Sequence, residues 1–76
     1  MKQLVEILVR SLVDHPDQVV VEQEETARSV TLTVHVAPDD LGKVIGRQGR
    51  VARAIRTVVK SAAVRDGRRV HVEFAQ

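Results

Sequence analysis

LGKVIGRQGRVARAI, residues 41–55, carries two glycines three apart, Gly46 and Gly49, with Arg47 and Gln48 between them and cations on both sides. Without a Cβ at these points, an anion can approach the backbone amides closely. Gly49 also opens a stretch of helical periodicity. The turn therefore sits at a helix N-terminus, where unpaired N–H groups and the positive end of the helix dipole favour a phosphate. The spacing does not fit a nucleotide cofactor. A phosphate loop requires G-x-x-x-x-G-K-[ST], and a dinucleotide fold requires G-x-G-x-x-G directly after a strand. Gly42, Gly46 and Gly49 are spaced four and three apart and match neither. Lys43, Arg47, Arg50, Arg53 and Arg56 crowd the turn, more charge than a plain joint between two helices needs.

Behind the turn, Arg50 to Val64 separates at 3.6 residues per turn. Arg50, Arg53, Arg56 and Lys60 fall on one side, and Val51, Ile55, Val58, Val59 and Ala62 on the other. Its apolar arc, from Ala54 and Val58 round to Ala63, covers about half the circumference. A helix lying on a sheet needs only about 100°, so the surplus at the Ala54 and Val58 edge predicts self-association. Ahead of the turn, Asp39 or Asp40 is expected to cap a short helix through Lys43 to Ile45, and Pro38 ends the segment before it. Lys2 to Val13 has Leu4, Val5, Leu8, Val9 and Leu12 at helical spacing and stops at His15-Pro16-Asp17. Gln18 to Gln23 and Ser29 to Val36 read as strands joined through Glu24 to Arg28, an antiparallel hairpin. In the second, Val30, Leu32, Val34 and Val36 alternate with Thr31, Thr33 and His35. Asp66-Gly67 reads as a turn. Arg69 to Phe74 then alternates again, and its return through two helices implies parallel pairing with the second strand.

Seventy-six residues allow one domain, spanning 1–76, with a core small enough that a partner would help its stability. The absence of cysteine fits a reducing compartment. Glu6 and Arg10 interrupt the N-terminal apolar run, which is neither a signal peptide nor a membrane span, so a cytoplasmic location is expected. Up to Asp40 there are three Lys or Arg against eight Asp or Glu, a net of minus five. From Leu41 on there are nine against two, a net of plus seven, and the halves sum to the formal +2. A basic half centred on an anion-binding turn is the footprint of a nucleic-acid binder. With one Phe and no Tyr or Trp, there is no aromatic platform for stacking bases. Ser11, Asp14 and His15 lie close in sequence but at a helix end, with no triad geometry implied. His35 and His71 occupy polar strand positions, where a solvated imidazole is the default. No nucleophile is matched to a base and no metal set is evident, so an enzyme is the least favoured class.

Val44-Ile45-Gly46-Arg47-Gln48-Gly49 followed by Ile55 resembles the KH domain, whose GXXG loop clamps the backbone of single-stranded nucleic acid. From Leu4 to Phe74 the chain is similar to small bacterial single-KH proteins of the KhpA type, with Pro38 to Gly46 and Ala54-Ile55-Arg56-Thr57 the nearest stretches. The resemblance implies an α+β, type II KH fold in the order α-β-β-α-α-β, a three-stranded mixed sheet with helices on one face. It implies a non-enzymatic protein that binds single-stranded RNA, with no cofactor, acting as an RNA chaperone or post-transcriptional regulator. By the same resemblance the amides of Gly46 to Gly49, with Lys43, Arg47 and Arg50, meet phosphates. Gln48 bonds sugar or phosphate, Arg53 extends the track, and bases lie over a groove between the adjoining helices and the second strand. The implied protein partners are a second copy or a larger KH-containing protein of the Jag type. The alternative is an interaction module in which the fold serves dimerisation and the turn contributes little.

Overall fold

The computed structural model describes residues 1–64 and 67–75. Its elements are α1 (Lys2–Arg10), β1 (Val20–Glu25), β2 (Ser29–His35), α2 (Leu41–Ile45), α3 (Arg50–Ala63) and β3 (Arg69–Phe74), with 3-10 turns at Pro16–Gln18, Pro38–Asp40 and Arg47–Gly49. The expected order of six elements holds. The sheet runs β1-β2-β3, with β1 antiparallel to β2 from Val20 opposite His35 to Glu25 opposite Val30. β3 is parallel to β2, from Ser29 opposite Arg69 to Val34 opposite Phe74. Alternation along β2 puts Val30, Leu32 and Val34 in the core. On that face they meet Val5 and Val9 of α1, Val44 of α2 and Ile55, Val59 and Ala63 of α3. The helices thus cover one face, as the period-2 and period-3.6 patterns require. The turn expected at Asp66-Gly67 lies, at Asp66, outside the described residues.

The bounds of α1 and β1 differ from the sequence reading, each for a physical reason. α1 ends at Arg10 rather than Val13. Ser11 donates to the Leu8 carbonyl through its hydroxyl (2.7 Å), Leu12 N–H closes a tight turn on Val9, and the amides of Asp14 and His15 are drawn to another acceptor. β1 begins two residues later and runs through Glu25, because Pro16 starts a 3-10 turn and the hairpin register extends into the acidic run. Only Thr26 to Arg28 connect the strands; the Thr26 hydroxyl accepts the amides of Arg28 and Ser29 at 3.2 and 2.9 Å. Glu24 and Glu25, expected in the connection, are exposed strand positions. α2 runs from Leu41, directly after Asp40, to Ile45 as expected, and is too short to persist alone. Burial of Val44, fully enclosed, and its packing on α3 hold it.

The largest correction concerns the acidic pair. Neither Asp39 nor Asp40 makes a side-chain cap. Asp39 is exposed, whereas Asp40 is fully buried and turns its carboxylate back to accept the amides of Asp14 (3.1 Å) and His15 (3.0 Å). A buried carboxylate requires such donors. Asp40 thereby pins the segment after α1 to the start of α2.

Candidate nucleic-acid interface

The turn after α2 is built on backbone that side chains resist. Gly46 has φ +75° and ψ 173°, a region open essentially to glycine alone. A Cβ there would also lie 2.5 Å from a Val51 methyl and 2.9 Å from the Val51 amide nitrogen. Gln48 (φ 57°, ψ 26°) and Gly49 (φ 74°, ψ 16°) follow in the left-handed region, which glycine reaches without the cost a Cβ brings. The Gly49 amide closes on the Gly46 carbonyl at 3.1 Å, and the Arg50 amide on the Arg47 carbonyl. Among the described residues, no hydrogen bond takes up the N–H of Arg47 or Gln48. Both residues are exposed. Two bare amides thus stand beside the N-terminus of a 14-residue helix, the arrangement that attracts an oxyanion.

The residues assigned to this site from sequence divide into three groups. Arg47, Gln48 and Arg50 are exposed around the turn. Arg53 buttresses it, since one Nη2 hydrogen bond to the Gln48 carbonyl (2.9 Å) ties the apex to the first turns of α3. Arg53 itself is exposed. Lys43 stands apart, because its Nζ is paired with the Asp14 carboxylate and lies 3.8 Å from Asp40 Oδ1. The hydrogen bond from Lys43 and its charge hold Asp14 below the usual carboxylate range, and the same bond raises Lys43 above its ordinary value. Lys43 thus serves first to fasten α2 to the segment after α1.

The basic stripe of α3 also proves to be more than one surface. Arg50 borders an apolar groove of about 330 Å³ between α1 and α3, lined by Leu8, Leu12, Val51, Ala54, Ile55 and Val58. Arg56 turns to the other side, where its Nε donates to the Val72 carbonyl of β3 at 3.0 Å and its guanidinium lies 5.7 Å from the Phe74 ring centroid. Lys60 lines a second depression with Arg69 and His71. The strand flanking the site needs correction as well. β2 is hydrogen-bonded on both sides, so the strand that offers a free edge beside α3 is β3. Sequence reasoning missed the anchoring role of Asp40 and the tie from Arg56. Both join residues 16 or more apart, and no local pattern announces such contacts.

Elsewhere, Ser11 is occupied with its helix carbonyl and Asp14 with Lys43. Half-buried His35 has Nε2 2.6 Å from Glu22 Oε1, and His71 is exposed. No helix among the described residues is long and apolar enough to cross a membrane.

An α-β-β-α-α-β chain with a three-stranded mixed sheet and a G-x-x-G turn between its second and third helices is a KH domain of the type II arrangement. The family model for the KhpA/KhpB KH domain matches residues 2–74, and the chain belongs to that family. It is 56% identical over 74 residues to the RNA-binding protein KhpA of Clostridium acetobutylicum, covering 97% of this chain and 99% of that one. Over all 76 residues it is 41% identical to the KhpA of Listeria monocytogenes. In solved structures the same fold occurs in Era of Aquifex aeolicus bound to GDP·AlF4−, with a TM-score of 0.70 at 16% identity. It occurs again in Era in complex with MgGDPNP and nucleotides of 16S ribosomal RNA, with a TM-score of 0.71. The chain covers 28% of the length of each Era chain, so this likeness speaks to the fold.

Proposed function

We propose that the chain is a single-domain, non-enzymatic RNA-binding protein. It holds single-stranded RNA by its backbone at Gly46 to Gly49 and works in the cytoplasm as an RNA chaperone or post-transcriptional regulator. The observation that carries this reading is the pair of amides of the exposed residues Arg47 and Gln48, unpartnered among the described residues, at the head of α3. Arg47, Arg50 and the remaining donors of Arg53 surround them. Membership in a family whose relatives are named RNA-binding proteins supports it. Phosphate meets the amides and guanidinium groups, Gln48 meets sugar or phosphate, and bases turn toward the cleft between α3 and β3. Lys43 contributes to the local field, but the ion pair with Asp14 commits its ammonium to the scaffold.

A second feature supports pairing with another protein, either a second copy or a larger KH-containing partner of the Jag type. α2 leaves the Ala54 and Val58 edge open: Ala54 is exposed and Val58 is 46% exposed, at the rim of the apolar groove between α1 and α3. A two-fold pair across that groove sets two turns in one assembly and raises avidity for longer RNA.

Arg47→Asp with Gln48→Asp tests the clamp. The pair changes the turn by three charge units where little packing is at stake. Losing one charge-assisted bond, about 1.5–3 kcal/mol, weakens binding roughly tenfold or more. Unchanged RNA affinity by fluorescence anisotropy, with native circular dichroism, overturns the assignment.

A further inference from the structure

At the end of α3 far from the glycine turn, the cleft between α3 and β3 opens into a depression of about 450 Å³ lined by Lys60, Arg69, Val70 and His71. Seven residues at 100° each fall 20° short of two full turns, so Lys60 stands on nearly the same line of the helix as Arg53, about 10.5 Å further along. Arg53 is the residue tied to the apex of the turn. Helix and strand run in opposite directions along this cleft. Arg56 reaches Val72, whereas Lys60, one turn later, shares the depression with the start of β3. The Arg69 amide donates to Arg28 on the β2 side, which turns the Val70 amide toward the free edge. Among the described residues no carboxylate lines the depression. The one carboxylate of β3, Glu73, lies two residues past His71 and takes no part in it. Glu25 is paired with Arg68 at 3.6 Å, and no hydrogen bond or ion pair takes up the side chains of Lys60, Arg69 or His71, all three exposed. Lys60 gains from the negative end of the helix dipole. That gain does not account for Arg69 and His71, which belong to the strand, and cations gathered without a carboxylate repel one another until an anion joins them.

Resting on the clamp described above, we infer that the depression of Lys60, Arg69 and His71 is a second phosphate site, which takes the sugar-phosphate backbone of the RNA strand where it leaves the cleft between α3 and β3. Lys60 supplies a point charge with three donors, Arg69 a planar fork suited to a phosphate, and His71 an imidazole N–H. From Arg50 at the turn to Lys60 is ten residues, about 15 Å along the axis. At the stacked spacing of about 3.4 Å per nucleotide, that distance is four to five nucleotides. A clamp of this kind holds about four. A tetranucleotide held at the turn therefore ends short of the depression, and an octanucleotide reaches it. The exposed donors of the second site add affinity for longer strands and, meeting phosphate alone, carry no preference for a base.

The test titrates tetrauridine and octauridine by fluorescence anisotropy against the unmodified protein and the Lys60→Gln, Arg69→Gln variant, with native circular dichroism as the check on folding. Two phosphate contacts at a slope of about 0.7 each amount to roughly 25-fold at 0.1 M salt. The variant should therefore bind octauridine at least about tenfold more weakly, with a shallower salt slope, and tetrauridine within about twofold of the unmodified protein. Lys2→Gln with Arg10→Gln removes the same charge from α1 and should leave both lengths nearly unchanged. Equal weakening of the two lengths, or a loss matched by the Lys2 and Arg10 control, marks a general field and refutes the second site. Undiminished octauridine binding by the Lys60→Gln, Arg69→Gln variant refutes it too, since avidity from two clamps in one pair would survive those substitutions. In that case, loss of both lengths in the Arg47→Asp, Gln48→Asp variant leaves the clamp standing. If neither length responds to the Arg47→Asp, Gln48→Asp variant, the clamp falls and the inference with it.

Discussion

Asp40→Ala should destabilise the fold far more than Asp39→Ala, although the two carboxylates are adjacent in sequence. Asp40 is 0% exposed and accepts two amides, from Asp14 and His15. Removing it deletes two hydrogen bonds to a charged acceptor, each about 1.5–3 kcal/mol. Part of that is recovered, since Asp14 and His15 are themselves exposed and their amides reach water if the segment lifts. A net loss of about 2–4 kcal/mol remains. At about 0.05–0.15 kcal/mol per residue, a chain of this length has roughly 4–11 kcal/mol in all, so the loss is a large share. With a denaturant slope of about 1 kcal/mol per molar urea, the midpoint should fall by about 2–4 M. Asp39, exposed and without a described partner, should change stability by no more than about 0.5 kcal/mol. Asp40→Asn keeps one oxygen for one amide and sets an amino group against the other, which predicts an intermediate loss. Paired urea melts followed by far-ultraviolet circular dichroism decide it. Equal, small effects of Asp40→Ala and Asp39→Ala would refute the pinning of the segment after α1 by Asp40.

Three further outcomes follow from the turn and the groove. Gly46→Ala should destabilise by about 3 kcal/mol or more, from backbone strain plus the clash with Val51, while Gly49→Asn, with open space around its Cβ position and a tolerated left-handed backbone, should cost less than about 1 kcal/mol; thermal melts compare them. A clamp touching about three phosphates gives log K against log salt a slope near −2, and Arg53→Gln should flatten it; a slope of zero would point to an interaction module instead. Val58→Glu should yield a folded monomer from an associating chain in sedimentation, since 46% of Val58 is open to solvent. An unfolded Val58→Glu, or an unmodified chain that is monomeric at micromolar concentration, would contradict self-association through that edge.

How much of this was legible in the chain depended on whether the deciding contact was local. β3 and α3 were recovered within a residue because alternation from Arg69 to Phe74 and the 3.6 period from Arg50 onward are local properties. The Gly46 to Gly49 turn was legible because positive φ leaves its mark as glycine. Asp40 was not, since a carboxylate after Pro38 and before a helix has the same local signature whether it caps that helix or bonds residues 25 and 26 positions earlier. Arg56 looked like one more cation on a solvated stripe. Its side chain is amphipathic, and β3 lies near enough to take its Nε. The sequence cannot say which charges of a stripe are spent inside the fold.

That spending shapes how the site works. Three of the cations that follow Leu41 are tied into the scaffold. Lys43 is held by Asp14 and Asp40, Arg53 gives one donor to the Gln48 carbonyl, and Arg56 gives one to Val72. Each of these contacts fixes a neighbour of the phosphate turn. Asp40 and Lys43 fix the approach through α2, Arg53 fixes the apex, and Val51 closes against Gly46. The amides of Arg47 and Gln48 are therefore presented by backbone already in place, so the proposed phosphate contact needs little further ordering. On the proposed reading, a clamp preorganised in this way holds the sugar-phosphate chain without regard to sequence.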